Sequence, residues 1–206
     1  MTKKTSKKTR TSVASSKCLK KTPLIKLNEA YNKILNWFFS YPDKEISLSD
    51  LATNLKISKI TANRIVAQLV KEEFLKLKVI GRVWRISSNK DHPYNYSRKI
   101  SYNLMMVYES DIISSIHKLY ENPKAIILFG SYRKGDDNEK SDIDIAVEIV
   151  GNDEVKIIEL GIIPEFGFRK NVPVNLYVFS RNKVDANLFA NIANGIVLEG
   201  FLETRP

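Results

Sequence analysis

Apolar positions along the first third of the chain follow helical spacing. Leu27, Ala30, Tyr31, Ile34, Leu35 and Phe38 recur mostly three and four residues apart, which predicts a helix with one apolar face starting at Pro23. It should stop before Pro42, because the residue ahead of a proline is pushed out of the helical region. Ser47-Leu48-Ser49-Asp50 reads as a capping box opening a second, short helix with Leu51 and Leu55 inward. Ile57 fills the turn and Ser58 caps a third helix. Its inward stripe is Ala62, Ile65, Val66 and Leu69, and its outer face shows Thr61, Arg64, Gln68 and Lys71. Beyond Phe74 the period drops to two. Leu75-Lys76-Leu77-Lys78-Val79 and Val83-Trp84-Arg85-Ile86 flank Gly81 and Arg82, which predicts a β-hairpin with a basic tip.

The back half alternates strands and helices. Residues 88–98 are polar and interrupted by Pro93, so they read as a linker in which His92 is solvated. A helix is expected from Ser101 to about Glu121, with Leu104, Met105, Tyr108, Ile112, Ile116 and Leu119 on one side and His117 off that stripe. Lys124 to Phe129 is an apolar run bounded by Pro123 and Gly130, which suits a strand, and Ser131-Tyr132-Arg133-Lys134 can start a short helix. Asp142-Ile143-Asp144-Ile145-Ala146-Val147 alternates strictly, and Val172 to Phe179 is a further strand. After Asp153-Glu154, a helix carrying Val155, Ile158, Leu160 and Ile162 is expected to return to the sheet. Asn187 to Gly195 reads as a helix ended by glycine, and Ile196-Val197-Leu198 as a short apolar run suited to core packing.

Two of these segments carry chemistry. A strand that ends in Gly130-Ser131 at a helix start exposes backbone N–H groups, and that arrangement holds phosphate. Glycine lets the backbone approach closely, and serine adds a hydroxyl donor. On the alternating strand, Asp142 and Asp144 point to one face and the isoleucines to the other. Two carboxylates that close repel each other unless a cation sits between them. Mg²⁺ fits, since it takes one or two protein carboxylates and completes its shell with waters and phosphates.

Charge divides the chain. The formal net charge is +10, but residues 1–22 carry +8, residues 23–90 carry +6 and residues 91–206 carry −4. A basic front and an acidic back predict two parts with different partners. The organisation expected is a disordered basic tail (1–22), a first domain (23–88), a linker (89–98) and a second domain (99–206). The front could meet a polyanion. The single cysteine, Cys18, excludes an internal disulfide framework and a cysteine zinc cluster. No apolar stretch approaches a membrane span and no secretory apolar region is evident, so a cytoplasmic location with no membrane partner is expected.

Gly130-Ser131, ten intervening residues, then Asp142-Ile143-Asp144 resembles the signature of minimal nucleotidyltransferases in the DNA polymerase β superfamily. The flanking stretch Leu128 to Asp136 and the run Ser141 to Ile145 match as well, and the resemblance covers roughly residues 98–202. Helix, short helix, helix and hairpin resemble a winged helix-turn-helix. That resemblance implies DNA as the partner, with the third helix in the major groove, Lys59, Lys71 and Arg82 on phosphates, Arg64 or Gln68 at base edges and Thr61 beside them on the same helix face. Prokaryotic proteins joining the two, archaeal ones especially, are similar along nearly the whole chain. The resemblance implies an α+β architecture: an N-terminal winged helix-turn-helix and a C-terminal nucleotidyltransferase-like αβ domain with a mixed sheet.

The activity it implies is transfer of a nucleoside monophosphate from an NTP, ATP first among them, to a hydroxyl on protein or RNA. Gly130 and Ser131 would grip the triphosphate. Asp142 and Asp144 would be the catalytic pair holding Mg²⁺ or Mn²⁺. By analogy with other winged helices the chain could form a homodimer. One position departs from the pattern: the family supplies a third carboxylate where this chain has Asn175. Three outcomes follow: slow catalysis with one well-held metal, recruitment of another base such as Glu148 or Glu165, or nucleotide binding without turnover, so that the domain acts as the sensor of a DNA-binding regulator. A nucleotidylating antitoxin is a third reading.

Overall fold

The spacing at the front of the chain becomes three helices and a hairpin. The computed structural model describes residues 29–81, 83–151 and 153–204. The basic tail with Cys18, the start expected at Pro23, and Arg82 lie outside the described residues. The first elements are α1 (Glu29–Ser40), α2 (Leu48–Asn54), α3 (Lys59–Lys71), β1 (Leu75–Ile80) and β2 (Val83–Ser88). α1 ends two residues ahead of Pro42. Ser47 caps α2 by accepting the Asp50 N–H at 3.1 Å, and Ser58 caps α3 by accepting the Thr61 N–H at 3.0 Å. β1 and β2 pair antiparallel from Leu75↔Ser88 to Ile80↔Val83. Gly81 closes the hairpin at φ +62°, a value glycine adopts without penalty. Ile34, Phe38, Leu51, Val66, Leu69, Phe74 and Ile86 form the first core.

The expected linker is instead a pinned connection. Pro93–Tyr96 form a 3-10 turn capped by His92. His92 is half-buried rather than solvated: its Nδ1 accepts the Tyr94 N–H at 3.2 Å, so Nε2 carries the proton and donates to the Glu72 carbonyl at 2.9 Å. Its ring also meets Phe74 and Tyr94 edge-on. Phe74 is fully buried, and His92 and Tyr94 of the turn supply part of its aromatic cover. The Glu72 carboxylate accepts from Tyr31, Gln68 and Tyr94, which ties α1 and α3 to this turn.

The long helix expected from Ser101 is two: α4 (Arg98–Glu109) and α5 (Ile112–Leu119), broken at Ser110-Asp111. The buried stripe is also rotated. Lys99, Tyr102, Asn103 and Val107 are buried, whereas Met105, Tyr108 and Leu119 are exposed. Lys99 and Asn103 face inward because polar partners wait there, as described below. A hydrophobic count cannot register that.

The remaining elements are β3 (Ala125–Phe129), α6 (Gly130–Lys134), β4 (Ile143–Glu148), β5 (Lys156–Phe166), β6 (Arg169–Phe179), α7 (Ala186–Ala193) and β7 (Ile196–Gly200). The sheet runs β5-β6-β4-β3-β7, with β4 and β6 parallel and the other pairs antiparallel. The helix expected over Val155 to Ile162 is therefore wrong; that stretch is an edge strand. Paired isoleucines, a bulge before Gly161 (φ +146°) and Pro164, which only an edge strand tolerates well, explain why. One face of the sheet buries Val172, Val174, Leu176 and Val178 under α4 and α5. The other buries Ala146, Phe179 and Ile127 with Ile192 of α7.

The turn between β5 and β6 reaches into the first core. Phe168 packs against that core, and its carbonyl accepts from the Tyr41 hydroxyl at 2.5 Å. Gly167, at φ +61°, lies so close to Tyr102 that a Cβ would fall 1.8 Å from the phenol oxygen. Among the described residues no helix is long and apolar enough to cross a membrane.

Candidate functional site

Register brings the two motif segments together. Phe129, the last residue of β3, pairs with Asp144 of β4, so the chain turns into α6 directly beside that carboxylate. Gly130 makes the turn at φ +70°, and a Cβ there would sit 2.5 Å from Asp144 Oδ2. Only glycine satisfies both the backbone angle and the approach. Ser131 follows, half-buried, in the first turn of α6.

Asp142 stands just ahead of β4, on the same face as Asp144. Its Oδ2 accepts from Asn175 Nδ2 at 2.5 Å. Asn175 pairs with Asp144 in the parallel β4–β6 register, the position expected from sequence. Burial pushes the Asp144 carboxyl above the usual aspartate range, and the Asp142 charge pushes it further; hydrogen bonds from Asn175 and Tyr177 oppose both. Burial likewise raises the Tyr177 hydroxyl, with the Asp144 and Asp142 charges adding to it. Tyr177 escaped the sequence reading, although alternation along Val174-Asn175-Leu176-Tyr177 places it on the face of Asn175.

Two buried cations hold the loop between α6 and Asp142. Arg169 donates to the Ser141 carbonyl at 2.5 Å, to the Glu139 carbonyl at 3.2 Å and to the Tyr132 hydroxyl. One guanidinium thus grips both α6 and the residue before Asp142. From α4, Lys99 Nζ donates to the Asp137 carbonyl at 2.5 Å and lies 3.2 Å from its Oδ1. Asn103 Nδ2 donates to the same Oδ1 at 2.8 Å and to the Tyr132 carbonyl at 3.1 Å. Neither support was foreseen. The one sequence signal is the spacing of Lys99 and Asn103, four residues apart and hence on one helix face.

Both alternative bases fail on position. Glu148 lies at the far end of β4, roughly 13 Å along the strand from Asp144, buried and paired with Lys124 at 3.3 Å. Glu165 pairs with Lys170, whose alternation follows Val172 and Val174, so it sits on the opposite face against α4 and α5.

The donor set suits a hard cation. Asp142 and Asp144 offer carboxylate oxygens, and burial together with the Asp142 charge raises Asp144, a pressure that a divalent ion would relieve. Among the described residues no group of three or more His, Cys, Asp or Glu side chains forms a metal cluster. His117 lies away from the site, its Nε2 2.9 Å from Glu199 Oε1.

Residues 111–198 match the family model for polymerase beta, nucleotidyltransferase. That stretch of the back half is similar to the nucleotidyltransferase superfamily. The match includes Gly130, Ser131, Asp142, Asp144 and Asn175, and leaves α1 to α4 outside it. A comparison with curated proteins finds no match.

At the front, Lys59, Arg64 and Lys71 project from the exposed face of α3. Gln68 is exposed but donates to Glu72 Oε1 at 2.8 Å, and Thr61 bonds the capping Ser58 through both its N–H and its hydroxyl. The same face also shows Ile60, Asn63 and Ala67. Lys76 and Arg85 are exposed on the hairpin.

Proposed function

We propose that the chain is a Mg²⁺-dependent nucleotidyltransferase that moves a nucleoside monophosphate from an NTP to a hydroxyl of a protein or RNA. The observation that carries this reading is the juxtaposition of the Gly130 turn with the Asp142–Asp144 pair on the family-matched sheet. The acceptor oxygen attacks the α-phosphorus, the bond to the β-phosphate oxygen breaks, and pyrophosphate leaves. Gly130 and Ser131 bind the triphosphate through backbone N–H groups and the Ser131 hydroxyl, and Asp142 and Asp144 are the ligands for Mg²⁺ or Mn²⁺. When bound, the cation neutralises charge on the phosphate oxygens. Arg169 and Lys99 hold the loop that presents Asp142.

The front elements, in this reading, form a winged helix-turn-helix that binds DNA through α3, with Lys59, Arg64 and Lys71 as the contacting cations. Gln68 and Thr61 have weaker roles there, since both are engaged within the fold.

Incubation with labelled NTPs, ATP first, Mg²⁺ or Mn²⁺ and a cell extract tests the reading. Transfer of label that disappears in Asp142→Ala and Asp144→Ala is the expected result. A second reading follows from the Asn175–Asp142 hydrogen bond, which occupies a metal-facing oxygen with a neutral amide. There the domain binds nucleotide without turnover and regulates the DNA-binding half. Nucleotide binding with no transfer, in the parent and in Asn175→Asp alike, would favour the sensor and sink the enzyme.

A further inference from the structure

A hydroxyl that attacks phosphorus must lose its proton, and neither Asn175 nor the displaced Glu148 and Glu165 can take it. Strand register identifies another carboxylate. Asp144 pairs with Asn175 on β6, and Asn175 pairs in turn with Glu159 on β5. Directly paired residues project to the same side of a sheet. Asp144, Asn175 and Glu159 therefore form a row across three adjacent strands, on the face where Asp142 and Tyr177 also stand. The backbones of Asp144 and Glu159 are two strand spacings apart, roughly 10 Å.

Local features leave this side chain available. Glu159 is exposed, and among the described residues no cation or hydrogen-bond donor engages its carboxylate. The bulge between Glu159 and Gly161 breaks the regular ladder next to it. Bulges of this kind recur beside active sites, where they re-aim a side chain. The nearby acids on the same edge are already paired, Asp153 with Lys156 at 3.9 Å and Glu154 with Lys183 at 3.2 Å. α7 covers the β3 side of this face, so the β6–β5 side remains open to an acceptor.

We propose that Glu159 is the proton acceptor for the attacking hydroxyl, an inference that rests on the nucleotidyltransferase reading above. The acceptor O–H bond breaks and its proton passes to the Glu159 carboxylate. The freed electron pair forms the bond to the α-phosphorus as the bond to the pyrophosphate oxygen breaks. Glu159 then gives its proton to water.

The test is single-turnover label transfer by the full chain, paired with titration calorimetry of nucleotide and Mn²⁺ binding. General-base removal typically lowers rate about 10²- to 10⁴-fold, so Glu159→Gln should lose roughly 100-fold or more while its nucleotide and Mn²⁺ affinities stay within about twofold of the parent. Restoring a carboxylate one strand inward, in Glu159→Gln with Asn175→Asp, should recover a large part of that loss. A merely structural role would move binding and stability together and would not be rescued. Parent activity with Glu159→Gln equally active overturns the role of Glu159 alone. No transfer by the parent overturns both readings.

Discussion

Lys99→Met puts the loop support to a quantitative test. Lys99 and Asp137 are 1% and 3% exposed, with Nζ and Oδ1 3.2 Å apart. Burial pushes the Lys99 ammonium below its usual range, with Asp137 opposing; burial pushes the Asp137 carboxyl above its usual range, with Lys99 and Asn103 opposing. Methionine keeps the stem and deletes the charge, which leaves a buried carboxylate with hydrogen bonds from Asn103 and its own backbone but no counter-charge from Lys99. Breaking a buried pair in this way costs about 3–5 kcal/mol. Removing both charges, in Lys99→Met with Asp137→Asn, should return most of that loss, because no uncompensated ion remains.

The pH dependence has a definite sign. A carboxyl whose folded pKa is raised favours the folded state most when protonated, so its contribution is present at low pH and lost as pH rises through the folded value. In Lys99→Met the opposing influence of the ammonium is gone, so the carboxyl moves further up. The deficit relative to the parent should be largest at neutral pH and shrink as pH falls toward the ordinary aspartate value of about 3.9. Urea unfolding of parent, single and double variants at matched pH between neutral and mildly acidic conditions reads this directly. A deficit under about 1 kcal/mol, far below the buried-pair range, would refute the reasoning. A deficit that does not change with pH, or a double variant no better than the single, would do the same.

Three further outcomes follow from the geometry. Gly130→Ala must hold a Cβ at φ +70° and 2.5 Å from Asp144 Oδ2; it should weaken Mn²⁺–nucleotide binding by about tenfold or more, given roughly 1–2 kcal/mol of left-handed strain before any clash, and unchanged calorimetric affinity would count against the site. Arg169→Met deletes the donors to Glu139, Ser141 and Tyr132; a loss of roughly 3 kcal/mol is expected from one buried and two half-buried acceptors left unpaired, together with faster amide exchange around Ser141, and exchange confined to the β5–β6 turn would contradict the clamp. Replacing Lys59, Arg64 and Lys71 with alanine should flatten the salt dependence of DNA affinity by about one logarithmic unit per phosphate contact removed, and an unchanged slope in a filter-binding series would move the DNA surface off α3.

The sequence made the front helices, the hairpin and the Gly-Ser and Asp-x-Asp segments legible because each rests on local signals. Ser47 and Ser58 cap where a serine before an apolar run should, and strict alternation put Asp142 and Asp144 on one face. Asn175 was placed by counting along a strand, and the register agrees. The failures share a cause. α4 buries Lys99 and Asn103 because Asp137 and the Tyr132 carbonyl, more than 25 residues away, demand partners, and apolar counting then rotates the helix face. β5 carries isoleucines at spacings that also suit a helix, and only pairing with β6 decides between the two. His92 reads as solvated because nothing in its neighbourhood announces that Phe74 needs a cover.

Placing the base one strand outward has an electrostatic rationale. A third carboxylate at position 175 would lie one strand spacing from Asp144, which burial and Asp142 already push toward protonation. At an effective dielectric near 20, like charges about 5 Å apart repel by about 3 kcal/mol, and doubling the separation halves that. Solvent screening at an exposed edge reduces the remainder further. Asn175 removes this repulsion and adds a hydrogen bond to Asp142, so the carboxylate pair is easier to hold when no cation is bound. The same substitution leaves the hydroxyl without a proton acceptor at that position. Glu159 resolves the conflict only if its side chain swings inward over Asn175 when cation and nucleotide arrive, for at its backbone distance the empty site feels little of its charge. Its exposure and the bulge beside it permit that swing, which makes the mobility of this edge, rather than the strength of the carboxylate pair, the property on which turnover depends.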